Sequence, residues 1–274
     1  MPTFTHDQIH FHYREIGAGV PFIFQHGLGG DVSQTFGIFQ PPPFIRMIGF
    51  DARGHGQTQP LGDPEKLRFD TFADDLRALL DHLKIDRAIV GGISMGAAIA
   101  LNFALRFPDR TLGLVLSRPA WLDAPHRWNV QMFTLISKLL REHGAKAGQA
   151  LFRQTPEYQE THRQWPDVAL GLALQFENPQ AEAAAVKLEH IIKDTPSRDR
   201  CEWDAIRVPT LILANPLDPI HPYEFGEELA RRIPRAEFRE LTAKSVSLEL
   251  HVADLQRYLG DFLQQHFGGA IGAR

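Results

Sequence analysis

The pentapeptide Gly92-Ile93-Ser94-Met95-Gly96 constrains the chain most, because of what lies on either side of it. Arg87-Ala88-Ile89-Val90 reads as a short buried strand, whereas Gly96 to Phe107 is apolar at helical spacing and stops before Pro108, which disfavours helix at the preceding residue. A serine on so sharp a strand-to-helix turn has strained backbone angles, and glycines two residues to each side remove the side chains that would clash. The flanks therefore predict that Ser94 projects alone at the mouth of a site. An isolated match would read as a helix-capping serine in a Gly-rich turn.

The same alternation runs through the N-terminal half. Ile9, Phe11 and Tyr13 alternate with polar residues, and the runs at 21–25 and 44–50 are short, apolar and closed by Gly-rich or Asp-Gly turns, as buried strands are. Phe72, Leu76, Leu79, Leu80 and Leu83 repeat at helical spacing, and Thr111 to Leu116 is a further buried strand. This is the pattern of a mostly parallel central sheet with helices on both faces, an α/β fold. From Trp121 to about Arg200 the alternation gives way to helical text, and it resumes at Pro209-Thr210-Leu211-Ile212-Leu213 and at Ala236 to Leu241. The reading is an α/β core made of residues 1–120 and 201–274, with residues 121–200 as a helical lid inserted after the sixth strand.

At 274 residues, with 43% hydrophobic and 23% charged side chains, the chain can bury one large core. No run of about 18 apolar residues occurs, so no membrane span or membrane partner is expected. The formal charge of −4 and the scattering of Arg231, Arg232, Arg235 and Arg239 among acids argue against nucleic acid. Cys201 is the single cysteine and residues 1–7 lack the features of a secretory signal, so a reducing, cytoplasmic setting is expected. His10 and His12 share a strand face, yet no third ligand lies near them in sequence; no metal and no organic cofactor is expected, and the partner is a small-molecule substrate.

Gln25-His26-Gly27-Leu28-Gly29-Gly30 is a glycine-rich turn directly after an apolar strand. Acyl transfer builds negative charge on a carbonyl oxygen, and fixed backbone N–H groups stabilise it; the amides of Leu28 and Met95 are assigned to that oxyanion hole, with His26 propping the loop. A dinucleotide fold competes for Gly27, Gly29 and Asp51, but Val32 stands at the third glycine, and Asp51-Ala52-Arg53-Gly54-His55-Gly56 is a compact turn rather than a ribose-binding continuation.

His26-Gly27, Asp51-x-Arg53-Gly54-His55-Gly56, Gly92-x-Ser94-x-Gly96 and Asp218, in this order, resemble the α/β-hydrolase superfamily over nearly the whole chain outside the lid. The resemblance implies a hydrolase of the esterase, lactonase or carbon–carbon hydrolase type, with a nucleophile, an acid and a histidine in that chain order. Asp218, a few residues past a buried strand, is the acid that could orient a histidine; Asp123 is the fallback. The histidine departs from the pattern: the resemblance places it about 17 residues ahead of an aromatic-Leu pair, and counting back from Phe262-Leu263 lands on Ser245.

His251 is the favoured base, although its spacing to Leu255, Leu259 and Phe262 puts it on a buried helix face; His221 is a weaker substitute and His266 lies too near the end. Arg118, at a strand's C-terminal edge, and Trp121 are candidate substrate contacts. The expected reaction is cleavage of an ester, lactone or related carbonyl compound through a Ser94 acyl-enzyme. Its rival is a ligand-binding protein on the same fold whose base has been lost at Ser245. A serine at position 94 argues against epoxide or haloalkane hydrolysis, which needs a carboxylate there.

Overall fold

The computed structural model describes residues 2–178 and 180–271. In chain order the elements are β1 (Thr3–His6), β2 (Ile9–Gly17), β3 (Val20–Gln25), α1 (Val32–Ile38), β4 (Ile45–Phe50), α2 (Phe69–His82), β5 (Ala88–Ile93), α3 (Met95–Arg106) and β6 (Thr111–Ser117). Then follow α4 (Arg127–Phe152), α5 (Pro156–Gln164), α6 (Pro166–Ala173) and α7 (Ala181–His190), and the chain closes with β7 (Thr210–Ala214), α8 (Tyr223–Arg232), β8 (Ala236–Glu240) and α9 (Leu248–Phe267). Among the described residues these inserted helices, of which α4 is two segments joined at a non-helical Gly144 (φ 71°), interrupt the strand and helix alternation between β6 and β7.

Among the described residues eight strands form one sheet in the order β1-β2-β4-β3-β5-β6-β7-β8. β1 and β2 run antiparallel to their neighbours, and every pairing from β4 to β8 is parallel. The α/β class read from the sequence is the class observed. The central strands are apolar on both sides because both faces are covered. Ile23, Val90, Leu114, Leu116 and Ile212 point into a core shared with α2, α3 and the inserted helices. Their strand neighbours Phe22, Phe24, Ile89, Val115, Leu211 and Leu213 pack with Phe36 of α1 and Leu255, Leu259 and Phe262 of α9 on the other face. No described helix is long and apolar enough to cross a membrane.

The register of the sheet decides which loops become neighbours. β3 lies between β4 and β5, so the chain leaves it to one side and later returns to the other, the place where open α/β sheets form a crevice beyond their strand ends. Gln25 pairs with Gly92, Ile93 with Ser117, Ser117 with Leu213, and Ala214 with Glu240. The turns that begin at His26, Ser94, Arg118, Asn215 and Leu241 therefore emerge side by side from one edge.

Candidate active site

Ser94 sits between β5 and α3 with φ 56° and ψ −112°, a positive φ that a side chain adopts only when its surroundings hold it there. The glycines of the pentapeptide show why. A Cβ on Gly92 would lie 2.3 Å from the Gly96 carbonyl carbon, and one on Gly96 would lie 2.3 Å from the Gln25 carbonyl oxygen. The Ser94 amide donates to the Ser117 carbonyl at 2.9 Å, which ties the bend to β6. The serine is largely buried and borders a cavity of about 170 Å³.

The ring facing Ser94 belongs to His221: its Nε2 lies 2.8 Å from Ser94 Oγ, and its Nδ1 lies 2.7 Å from Asp218 Oδ2. A carboxylate accepts and does not donate, so Nδ1 carries the proton and the Nε2 lone pair meets the serine hydroxyl. Both residues come from the loop after β7. Asp218 Oδ1 accepts the Ile220 amide at 3.2 Å, the His221 amide donates to the Asp218 carbonyl at 3.2 Å, and this turn folds the imidazole back onto the acid three residues earlier. From α4, Asn129 Nδ2 holds the Ile220 carbonyl at 2.9 Å.

The electrostatics suit proton transfer. Burial disfavours charge on both groups, but the His221 ring and the Arg118 guanidinium, whose Nη1 is 3.5 Å from Oδ2, hold the Asp218 carboxyl well below the usual carboxylate range. Burial lowers the His221 pKa from its ordinary value, Asp218 opposes that shift, and Arg118 and Lys244 reinforce it. The imidazole is thus neutral at neutral pH, as a base must be.

Asp218 stands where the sequence put it, but the histidine does not. His251 lies in the first turn of α9 with Nδ1 donating to the Thr242 carbonyl at 2.7 Å, and burial and the Arg118 charge pull its pKa down to about 4. It is a packed core histidine, and the ring at the serine is the substitute ranked below it. The ring at Ser94 comes from the β7 loop and not from behind β8, where the spacing to Phe262-Leu263 places a histidine; the signal for His221 was Asp218-Pro219-Ile220-His221-Pro222, a turn tight enough to set residues three apart side by side. His266 pairs with Glu237 at 2.7 Å, and Asp123 pairs with Arg200 at 3.0 Å rather than with any histidine.

Leu28 borders the cavity together with Gly27, whose Cβ position lies 3.5 Å from Ser94 Cβ, so the glycine-rich turn lies against the serine. Met95 is the first residue of α3, where a helix offers its own N–H no acceptor. His26 props that turn: Nδ1 donates to the Gly27 carbonyl at 2.8 Å and Nε2 accepts the Ala52 amide at 3.0 Å. Asp51 is committed to holding its turn against β2 and α1, accepting the amides of Val32 at 2.7 Å and Gln57 at 2.8 Å and pairing with His12 at 2.9 Å. His12 is accordingly buried and held by that carboxylate.

Arg118 and Trp121 both border the cavity. So do Gln34, Asp167, Gln175 and Lys244, which the sequence did not single out as contacts. They come from α1, α6, the turn after α6 and the loop after β8, and no local pattern links them.

The sequence profile of a family described as alpha/beta hydrolase fold matches residues 20–252. The chain is 31% identical to the AB hydrolase superfamily protein YisY of Bacillus subtilis over 251 residues, which cover 85% of this chain and 87% of that protein. It is 28% identical to 3-oxoadipate enol-lactonase 2 of Acinetobacter baylyi, over 89% of this chain and 90% of the relative. Among solved structures, the enol-lactonase from Burkholderia xenovorans LB400 superposes with a TM-score of 0.71 at 26% identity, covering 96% of this chain and 100% of that one.

Proposed function

Because the chain belongs to the alpha/beta hydrolase fold family, we propose that it hydrolyses a carboxylic ester or lactone through an acyl-enzyme on Ser94, with His221 as base and Asp218 orienting it. The observation that carries this reading is the continuous relay from Asp218 Oδ2 through the His221 ring to Ser94 Oγ, with bonds of 2.7 and 2.8 Å. Ser94 Oγ bonds to the carbonyl carbon as its proton passes to His221 Nε2, and the carbonyl electron pair moves onto oxygen, where the Leu28 and Met95 amides receive it. Collapse breaks the carbon–oxygen bond, and the leaving alkoxide takes the proton from His221. A water deprotonated by the same ring then attacks the acyl-enzyme; the acid leaves and Ser94 regains its hydrogen. For a lactone the freed hydroxyl remains part of the acyl group, and the second step releases a single hydroxy acid.

The inserted helices serve as a lid in this reading. Asp167, Val168, Gly171 and Leu172 of α6 line the cavity that Ser94 borders. The lactone preference draws support from the two enol-lactonases that the chain resembles. A base-less binding protein would leave Ser94 without a neutral ring beside it, and that is not the arrangement His221 makes.

The test is turnover and fluorophosphonate labelling on an ester and lactone panel for wild type, Ser94→Ala, His221→Ala and His251→Ala. Ser94→Ala and His221→Ala are expected to lose about 10⁴-fold or more in turnover, whereas His251→Ala, once corrected for folded fraction, keeps most of it. Full activity in His221→Ala would sink the mechanism. A wild-type serine that resists the probe would sink the enzyme reading.

A further inference from the structure

Beyond the reacting groups, the cavity wall holds two cations that the chemistry above does not consume. Arg118 is 8% exposed and follows β6 at φ 49°, a strained conformation held by its amide donating to the Leu213 carbonyl at 2.6 Å. Its Nη1 leans on Asp218 at 3.5 Å, but that carboxylate already accepts the His221 ring and the Ile220 amide. Arg118 Nε is buried and, among the described residues, has no hydrogen-bond partner. A buried donor without an acceptor is destabilising unless something fills its place.

Lys244 borders the same cavity, in the segment where the resemblance leads one to look for a histidine. Among the described residues it forms no ion pair within 4 Å. Both cations line this cavity, and the Arg118 charge, with burial, lowers the Lys244 ammonium to about 8. The opposing acids are Asp218, shared with His221, and Asp167 of α6, which has one buried carboxylate oxygen without a donor and lies within electrostatic reach of both cations. Neither acid closes the gap.

Resting on the acyl-enzyme reading, we propose that Arg118 and Lys244 form an anion subsite inside the reaction cavity, and that the ester or lactone opened at Ser94 itself carries a carboxylate. A carboxylate between the two cations would fill the vacant Nε donor and relieve their mutual repulsion. The unpartnered Asp167 oxygen suits a hydroxyl or N–H on the same molecule. The cavity of about 170 Å³ has room beside Ser94 for a short dicarboxylic hemiester or a small carboxy-lactone. Relocating the base to the β7 loop leaves the β8 loop free to supply a cation.

The experiment compares monomethyl succinate with its neutral counterpart dimethyl succinate, and in parallel titrates succinate into Ser94→Ala protein by calorimetry and by intrinsic tryptophan fluorescence, to which Trp121 in the wall contributes. Wild type is expected to favour the monoanion in kcat/KM by about tenfold or more, and Lys244→Met to abolish most of that preference and to weaken succinate binding by a similar factor. A preference at or below unity in wild type, a ratio unchanged by Lys244→Met, or no succinate binding overturns the subsite. A protein that binds succinate but cleaves neither ester keeps the subsite and loses the hydrolase reading. One that cleaves the diester without binding succinate does the reverse.

Discussion

Two groups set how the site responds to pH, and they act in opposite directions. His221 must be neutral to accept the Ser94 proton, and burial places its pKa below the ordinary 6.5, with Arg118 and Lys244 lowering it further. The acid limb of kcat/KM for a neutral ester should therefore fall below pH 6.5. Removing one positive neighbour in Lys244→Met should move that limb to higher pH, and a limb that stays or moves down would contradict the arrangement. Lys244 must be charged to hold an anion and titrates at about 8, so kcat/KM for an anionic ester should drop as pH rises through that value, with no such drop for the neutral ester. Paired pH–rate profiles on the two esters measure both effects.

At the scale of elements, the same substitution has opposite signs at two helices. Gly96 lies in the first turn of α3, where a Cβ would meet the Gln25 carbonyl oxygen at 2.3 Å and the His26 carbonyl oxygen at 2.8 Å. Gly96→Ala should push α3 away from the end of β3, costing about 2 kcal/mol or more and pulling Ser94 off the glycine-rich turn. Gly260, inside α9, has no atom other than its own stretch of helix within 4 Å of its Cβ position. Gly260→Ala should gain about 1 kcal/mol from helix propensity alone. Urea unfolding of both variants decides the matter, and a stable Gly96→Ala protein with wild-type turnover would refute the close approach.

Over the whole molecule, several histidines are buried neutral, and the fold loses stability when they must take up protons. His26, His55 and His251 all have pKa values lowered chiefly by burial, and His55 Nε2 has no partner among the described residues. A histidine depressed in the folded state contributes no penalty above its unfolded pKa of about 6.5 and costs stability as pH falls toward the folded value. For His251, with a folded value of about 4, the loss at pH 5 is about 2 kcal/mol. His6 acts in the opposite sense, since its bond to Asp75 raises its pKa. Urea unfolding at pH 7.5 and pH 5 should show a drop for wild type and a smaller drop for His251→Gln. Equal drops would mean that this ring does not titrate as its burial requires.

The serine, its flanking glycines, the two-faced apolar strands and the helical interruption were legible in the sequence because each depends on residues near one another in the chain: a bend excludes Cβ atoms locally, and strand and helix periods repeat over a few residues. Asp218 was legible for the same reason, as an acid just past a buried strand. The identity of the base was not, because His221 and His251 are both chemically competent, and only the turn after β7 and the Thr242 carbonyl decide which ring meets Ser94 and which is packed away. The cations of the cavity belong to the tertiary structure as well. Arg118 and Lys244 are far apart in sequence, and the parallel register from β5 to β8 is what delivers their loops to one edge.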